Sequence, residues 1–521
     1  MSALSEAVSP PHRMCSALMV PGLADDTLHR VVLTDGAAHE PTPEDPATLG
    51  DAFARLLLAE GVFPRTAGEV LQRLVDVLPV EHPLRTQRFF MVGEGGQIPD
   101  APTVSVDRNL RFVVACGRGP DGPDIILSSF HPDAGIVELM AWDDNGGGFN
   151  FYRTMPDSSA WIFAGNSRHA LTSPTRGNGP FESHVNGHFL MKELSFPWVN
   201  WHSPVAHINP SVLAAQGLET HPWVTQLEEG GGYTLEDDIA KPAIERWTRA
   251  RIAALKNGSS DETPHRLVEQ VTSTLTVNLI SSRTTSSAAI TGTASEVPLP
   301  ASFFSDSAAF EVVGLNPAPA FSVASTLYAQ ALTAVDARLD DGNGFRAAGD
   351  THFAFVVPVR AHEDVVTVRQ AIEQEVLSRR LLACLLMVDF PNPVFSLRRS
   401  TLLAHLEQAP FDASVDQSVA MAQKILSSAE AATAGSPEAE FVALWQEGEE
   451  FEAAFNGRLE AYYSAISQRL TTASGFESFV RLAESRRNRV RAMPISESRL
   501  LFAETNIPPG DLVMRADGAV E

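Results

Sequence analysis

Residues 136–164 read IVELMAWDDNGGGFNFYRTMPDSSAWIFA, and the fold turns on them. Three runs, residues 136–142, 149–152 and 161–164, are short, apolar and rich in β-branched and aromatic residues. Runs of that length bounded by Gly-, Asp- and Pro-rich turns read as strands, not helices. Upstream, residues 89–92, 111–115 and 124–128 repeat the pattern, broken by GEGGQ and GRGPDGPD. Six such strands at this spacing predict an antiparallel meander or small barrel over residues 86–170. The glycine clusters are turn punctuation. None has the GxGxxG or GxxxxGK[ST] spacing that opens a helix on phosphate.

Outward from this unit the period changes. Residues 1–46 are rich in Pro, Ala, Asp and Glu and read as a partly ordered arm. Residues 51–78 carry two apolar faces, Ala52, Leu56 and Leu57, then Ala67, Val70, Leu71, Leu74 and Leu78. The break at 61–64 makes this a helical hairpin, and residues 1–85 an N-terminal arm and hairpin. Residues 171–282 form a histidine-rich segment with helices, the clearest at 235–256; the apolar, Thr-rich run 264–282 suits helix or strand. Residues 283–325, rich in Ser, Thr, Ala and Pro, read as a linker or long loop. Residues 326–521 read as a helical domain. Its expected helices cover 323–339, 364–387, 396–408, 415–433, 437–470 and 475–491, with a short strand-like run at 352–359. The expected fold class is α+β: an antiparallel β unit in the N-terminal third, then a predominantly helical remainder.

Composition excludes several functions. With 521 residues, 44% of them hydrophobic and 20% charged, the chain is an ordinary globular one with room for several domains. Its formal net charge of −25 argues against sequence-independent nucleic-acid binding and against docking on anionic membranes. No run of about 18 uncharged apolar residues marks a membrane span. Three cysteines, Cys15, Cys116 and Cys384, form no CxxC and cannot all pair. They fit a reducing compartment. The first residues, MSALSEAVSPPHRMCSALMVPG, lack the charged and apolar regions of a secretory signal, so the expectation is a cytoplasmic protein.

Chemistry concentrates in residues 177–210, GNGPFESHVNGHFLMKELSFPWVNWHSPVAHINP. Five of the fifteen histidines, His169, His184, His188, His202 and His207, lie within residues 169–207. A helix starting at Ser183 would stack His184, His188 and Met191 on one face, with Val185 and Phe189 beside them. Two histidines one turn apart can share a metal, as in HExxH helices, although HxxxH lacks the internal glutamate of a zincin. Glu193, His202, His207 or His169 could complete the set. Two His and one carboxylate suit mononuclear iron, and three His suit zinc or copper. Asn186 and Gly187 count against the helix. Trp198 and Trp201 could wall a flat cofactor, or be plain core aromatics. Arg168, in the polar quartet Asn166–His169 after the strand at 161–164, could clamp a carboxylate or a haem propionate; its plainer role is a surface ion pair.

The stretch HVNGHFLMKELSFPWVNWHS resembles a segment of bacterial c-type cytochrome-like proteins, in which CxxCH runs on into a glycine, a MKEL-like helix and a PW pair. The resemblance covers about residues 180–203. It implies that His184 stands where the axial haem ligand stands. The two cysteine positions fall on Pro180 and Ser183, so haem here would be held non-covalently, with His188, Met191 or a more distant group opposite.

Elsewhere the signals are weaker. No GxSxG elbow anchors a serine hydrolase. Cys116, at the strand end VVACGRG, reads as a small buried hydrophobe. The run SRRNRVR, with Arg486, Arg487, Arg489 and Arg491, reads as a solvated helix end or an internal salt-bridge partner. The expected function is a metal- or haem-dependent oxidoreductase acting on a small molecule. His184, His188, Glu193 and His202 are its candidate metal ligands, Met191, Trp198 and Trp201 further cofactor contacts, and His188, His202 and Arg168 its candidate catalytic groups. The alternatives are a cofactor-free binding or scaffold protein and a metal-independent enzyme using His184 or His202 as acid–base.

Overall fold

The expected meander is there, and it is an open sheet. The structure is a computed structural model, and it describes residues 20–34, 40–93, 110–117, 122–156, 158–182, 184–188, 210–229, 231–273, 277–280, 296–340, 346–348, 357–492 and 504–521. Strands β1 (Leu28–Arg30), β2 (Thr42–Pro43), β3 (Gln87–Gly93), β4 (Leu110–Cys116), β5 (Ile125–His131), β6 (Ala134–Asp143), β7 (Gly148–Thr154) and β8 (Trp161–Asn166) form one sheet. Its order is β2-β1-β8-β7-β6-β5-β4-β3. The six strands read from the sequence, β3 to β8, pair antiparallel with their neighbours. The arm at residues 1–46 contributes more than expected. Its β1 pairs in parallel with β8, Leu28 opposite Trp161 and Arg30 opposite Phe163, and so covers an edge that would otherwise lie open.

Both faces of the sheet are buried, which explains why its strands read as nearly continuous apolar runs. Odd and even positions go to different layers. Phe112, Val114, Cys116, Ile125, Leu127, Leu139, Tyr152, Trp161 and Phe163 pack with Phe53, Leu57, Val70, Leu71 and Leu74. Those last five come from the hairpin, helices α1 (Ala52–Leu56) and α2 (Ala67–Val77). On the other face Val113, Ala115, Ile126, Met140, Phe149, Phe151, Ile162 and Ala164 pack with Phe181, Leu235, Ile239, Ala243 and Trp247. Asp51 ties the hairpin down. It caps α1 through Ala54 N (2.9 Å) and accepts from Asn150 Nδ2 (2.7 Å) and the Tyr152 hydroxyl.

After the short helices α3 (Pro210–Gln216), α4 (Pro222–Thr225) and α5 (Gly232–Leu235), a π-helical turn at Glu236–Ala240 leads into α6 (Lys241–Lys256). The wide turn sits where Pro242 has no N–H to give and its ring would meet the carbonyl four residues back. Helix α6 serves two cores. Ala243 and Trp247 join the sheet, whereas Ile252 and Leu255 join the helical core beyond it.

That second core is built from α7 (Pro264–Thr272), α8 (Ser307–Val312), α9 (Ser325–Ala334), α10 (His362–Glu373) and α11 (Arg379–Met387), then, past the short helix α12 (Leu397–Thr401), from α13 (Gln417–Leu426), α14 (Pro437–Trp445), α15 (Phe451–Arg469) and α16 (Ala473–Ala492). Short strand pairs lie among them: β10 (Glu296–Leu299) with β11 (Phe321–Ala324), β12 (Arg338–Asp340) with β13 (Arg346–Ala348), and β14 (Val357–Arg360) with β9 (Val277–Ile280). The fold class is α+β.

Several expectations need correction. Of the linker expected at 283–325, residues 296–325 are structured, and Phe303, Phe304, Phe310 and Phe321 are core side chains; residues 283–295 lie outside the described residues. The run 264–282 holds both a helix and a strand, α7 and β9. The helix expected at 323–339 begins as strand β11 and ends before strand β12. The helix expected at 364–387 is two, α10 and α11, because the chain turns at Glu375 with φ +58°. Of the two readings of SRRNRVR, the internal one holds for Arg486 and Arg487, which are buried: Arg487 pairs with Glu484 at 2.6 Å, and Arg486 donates to the Phe303 carbonyl.

Candidate functional site

Strand β8 ends at Asn166, and a 3-10 turn, Ser167–Ala170, carries the polar quartet away from it. The Asn166 side chain accepts from Arg168 N (3.1 Å), and His169 Nδ1 accepts from Asn166 N (3.0 Å). His169 is thereby a cap, and burial with Arg30 nearby lowers its pKa. Ser167 Oγ accepts from Phe149 N (3.0 Å) and donates to the Gly187 carbonyl (2.7 Å), which brings the histidine stretch onto the sheet end. Contact there is so close that a Cβ on Gly187 would lie 2.4 Å from the Ser167 carbonyl oxygen, and Gly187 itself has φ +72°.

No helix spans His184 and His188, which corrects the expected one-turn stacking. Residues Val185–Gly187 form a single 3-10 turn, Asn186 sits left-handed at φ +61°, and His188 is already extended. An Asn-Gly pair favours a turn of this kind. His184 Nδ1 donates to the His188 carbonyl at 2.9 Å, and its ring lies against Phe151 at 5.0 Å. A carbonyl only accepts, so the bond fixes a proton on Nδ1.

His188 is the unusual group. Its side chain is 0% exposed, and neither ring nitrogen has a hydrogen-bond partner among the described residues. Burial holds its pKa well below the usual 6.5, helped by Arg251 and His362, so the imidazole is neutral. Met191, Glu193, Trp198, Trp201, His202 and His207 lie outside the described residues, as does most of the stretch, residues 180–203, that carries the cytochrome likeness.

The helices supply the rest of the seam. The Trp247 indole N–H donates to the Asn186 carbonyl at 2.8 Å. Arg266 donates from one terminal nitrogen to Asn186 Oδ1 (2.5 Å) and from the other to Glu269 Oε2 (2.5 Å), and Glu269 also meets Arg176 at 3.4 Å. Asn186 Nδ2 and Arg266 Nε are buried without partners among the described residues. Burial, with Arg176 and Arg251 nearby, pushes the Arg266 guanidinium down to about 10. Deeper in, Arg251 Nε reaches both Glu262 oxygens at 2.9 Å and a terminal nitrogen reaches Gln270 Oε1 at 2.8 Å. Gln270 Nε2 donates to Asp364 Oδ1 at 2.7 Å. Burial, then the adjacent Glu363, raises the Asp364 carboxyl well above the carboxylate range.

Arg168 stands at the rim of this seam. Its Nε and one terminal nitrogen both donate to the Gly146 carbonyl (3.1 and 3.0 Å), and it lies 5.7 Å over the Trp247 ring. Two of its three nitrogens are committed, so it offers no bidentate fork. Among the described residues no group of three or more His, Cys, Asp and Glu side chains could hold a metal ion. Cys116 and Cys384 are buried thiols pushed up to about 12, and neither is a nucleophile at neutral pH.

Sequence reading did not find Arg251, Glu262, Arg266, Gln270, His362 or Asp364. One signal was present. Arg251 lies four residues after Trp247, on a face of α6 otherwise made of Ile244, Trp247 and Leu255, and Gln270 lies among Leu267, Val268 and Val271 on α7. A polar residue on an apolar helix face marks a buried network. Compared with protein-family models, with curated proteins and with solved structures, the chain finds no match.

Proposed function

We propose that the seam between the sheet and the helices is a small-molecule site, and that the protein is a metal- or haem-dependent oxidoreductase working through His188. One observation carries this reading: a wholly buried imidazole, held neutral, with both nitrogens unpaired among the described residues. An unpaired buried polar group costs about 1–3 kcal/mol. A ligand or a metal that uses the lone pair removes that cost, and a metal needs its histidines neutral. His184 fits beside it, because ligating histidines fix their orientation by giving the second N–H to a carbonyl, as His184 does. The sequence reading put His184 first among the ligands; the geometry favours His188, with His184 second. Glu193, His202 and Met191 remain the candidates to complete the set, with iron or non-covalent haem as the group held.

Such a group would supply redox chemistry. The chain's own residues do the rest. The Gly187 turn ties this segment to the sheet end, Trp247 bonds to the Asn186 carbonyl on the same turn, and the Arg251–Glu262 pair keeps a compensated charge near His188. Neutral His188 holds or yields a proton at a ring nitrogen.

A second reading is a cofactor-free site in which neutral His188 hydrogen-bonds its ligand directly. The nearby guanidinium of Arg251 favours it, since it opposes added positive charge at His188.

An absorption spectrum and metal analysis of the full chain, expressed with iron and haem supplied, separate the two. Stoichiometric iron, or a Soret band, that disappears in His188→Ala is the expected result. Metal that survives His188→Ala would remove His188 from the ligand set. Colourless, metal-free protein would put the cofactor-free reading first.

A further inference from the structure

We propose that the seam binds its small-molecule ligand by a carboxylate group, with the Arg266 Nε–H and the Asn186 side-chain amide as the two donors. This rests on the reading of the seam as a small-molecule site and names the class of molecule that fills it.

The orientation of the Asn186 amide is settled by its neighbour. A guanidinium only donates, so the atom facing Arg266 at 2.5 Å is the amide oxygen, and the NH2 group is left to find another partner. That NH2 is wholly buried and has no acceptor among the described residues. Arg266 gives one terminal nitrogen to Glu269 and the other to Asn186, which leaves Nε–H as its unmatched donor. The Asn186–Arg266 bond therefore locks together two side chains that each keep one buried donor without an acceptor. Two buried donors without acceptors, on side chains bonded to each other, are what the oxygens of an oxyanion satisfy.

Charge points the same way. Four guanidinium groups gather at the seam, from Arg168, Arg176, Arg251 and Arg266, against the ion-paired carboxylates of Glu262 and Glu269. Burial and the adjacent Glu363 raise the Asp364 carboxyl, which weakens its offset. Of the four, Arg251 and Arg266 are buried and Arg168 and Arg176 half-buried, in a chain whose overall charge is −25. Buried donors that lack acceptors favour a strong acceptor, and beside several guanidinium groups a charged one is the best match. Two donors suit the two oxygens of a carboxylate. A phosphate group, with more oxygens and up to two charges, calls for a nest of backbone N–H groups or a bidentate fork. Neither is offered here: the free donor of Arg266 is single, and Arg168 spends two nitrogens on Gly146. Asn186 lies two residues before His188, and both side chains are wholly buried.

The test uses the full chain at pH 7.5 and constant ionic strength. Acetate, pyruvate, succinate and benzoate are titrated by calorimetry and by thermal shift, against acetamide, benzamide, inorganic phosphate and chloride. At least one carboxylate is expected to bind and to raise the melting temperature, with its amide counterpart inert and phosphate weaker. Asn186→Asp keeps a residue that tolerates the left-handed backbone and places a built-in carboxylate against Arg266. It should weaken carboxylate binding at least tenfold while leaving the ligand-free melting temperature unchanged or higher. Arg266→Lys should weaken it about as much. Carboxylates that fail to bind, or bind Asn186→Asp as well as the parent, overturn the proposal. A neutral ligand whose binding disappears in His188→Ala but ignores Asn186→Asp overturns the carboxylate assignment and leaves the site standing. If none of these probes binds in a His188-dependent way, both fall.

Discussion

His362 is held down to about 4, first by burial, then by the positive charges of Lys241 and Arg369. An unfolded chain restores its usual 6.5. The folded state therefore binds this proton less well than the unfolded state. Its contribution to stability is complete above pH 6.5 and is lost as the pH falls from 6.5 to about 4. At about 1.4 kcal/mol per pKa unit, the loss amounts to roughly 3 kcal/mol. His362→Gln, which cannot ionise, should cancel that part of the acid sensitivity. Denaturant unfolding of both proteins at pH 7 and at pH 4.5 measures it, and an equal fall in the two would show that His362 titrates normally. At this scale the sequence was half legible. The clustering of His184 and His188 was visible, and so was the Asn-Gly pair that argues against a helix. What periodicity could not express is that Gly187 must press on Ser167, because that contact depends on a strand end twenty residues earlier.

Helices α6 and α7 are joined by a buried ion pair whose partners lie eleven residues apart. Arg251 sits inside α6, and Glu262 lies in the connection that follows. Neither helical nor strand spacing links such positions, so the pair could not be read from the sequence, although an arginine on an apolar face could have prompted a search. Removing one member leaves a buried guanidinium without its counter-charge, which typically costs 3–5 kcal/mol, on the order of a third of a domain's stability. Glu262→Gln should lower the unfolding free energy by about that much. The joint change Arg251→Met with Glu262→Leu should recover most of it, because apolar replacement of both partners is often close to neutral. A double variant no more stable than Glu262→Gln alone would mean that the link onward through Gln270 to Asp364 needs Arg251 for more than charge. The same spacing limits explain the split of α10 from α11. Two features make that break, the positive φ of Glu375, a backbone property, and Ser378, whose side chain caps α11 through Leu381 N.

Across the whole molecule the broad plan was legible and the joints were not. Six strands in order, a hairpin on one side and a helical remainder follow from period and turn residues. Coverage of both sheet faces, and the use of residues 296–325 to deliver four core phenylalanines, follow from long-range packing that local pattern does not carry. No helix of the described residues is long and apolar enough to cross a membrane. The most consequential joint is α6. Trp247, 0% exposed, is anchored in the sheet core and bonded to the Asn186 carbonyl, while Ile252 and Leu255 belong to the helical core. A rigid helix with both ends embedded couples the two cores, since neither can melt without exposing part of the other's apolar surface. Calorimetry should therefore show the sheet and the helical core unfolding in one transition. Ala250→Pro breaks α6 between its two anchors, removing one backbone hydrogen bond and adding a clash, at about 3 kcal/mol or more. It should lower the melting temperature and split the transition in two, with tryptophan fluorescence following the sheet component. If the parent already unfolds in two steps, α6 does not carry the coupling, and the seam at His188 would open whenever the less stable core does. A single step in Ala250→Pro would instead assign the coupling to other contacts between the cores.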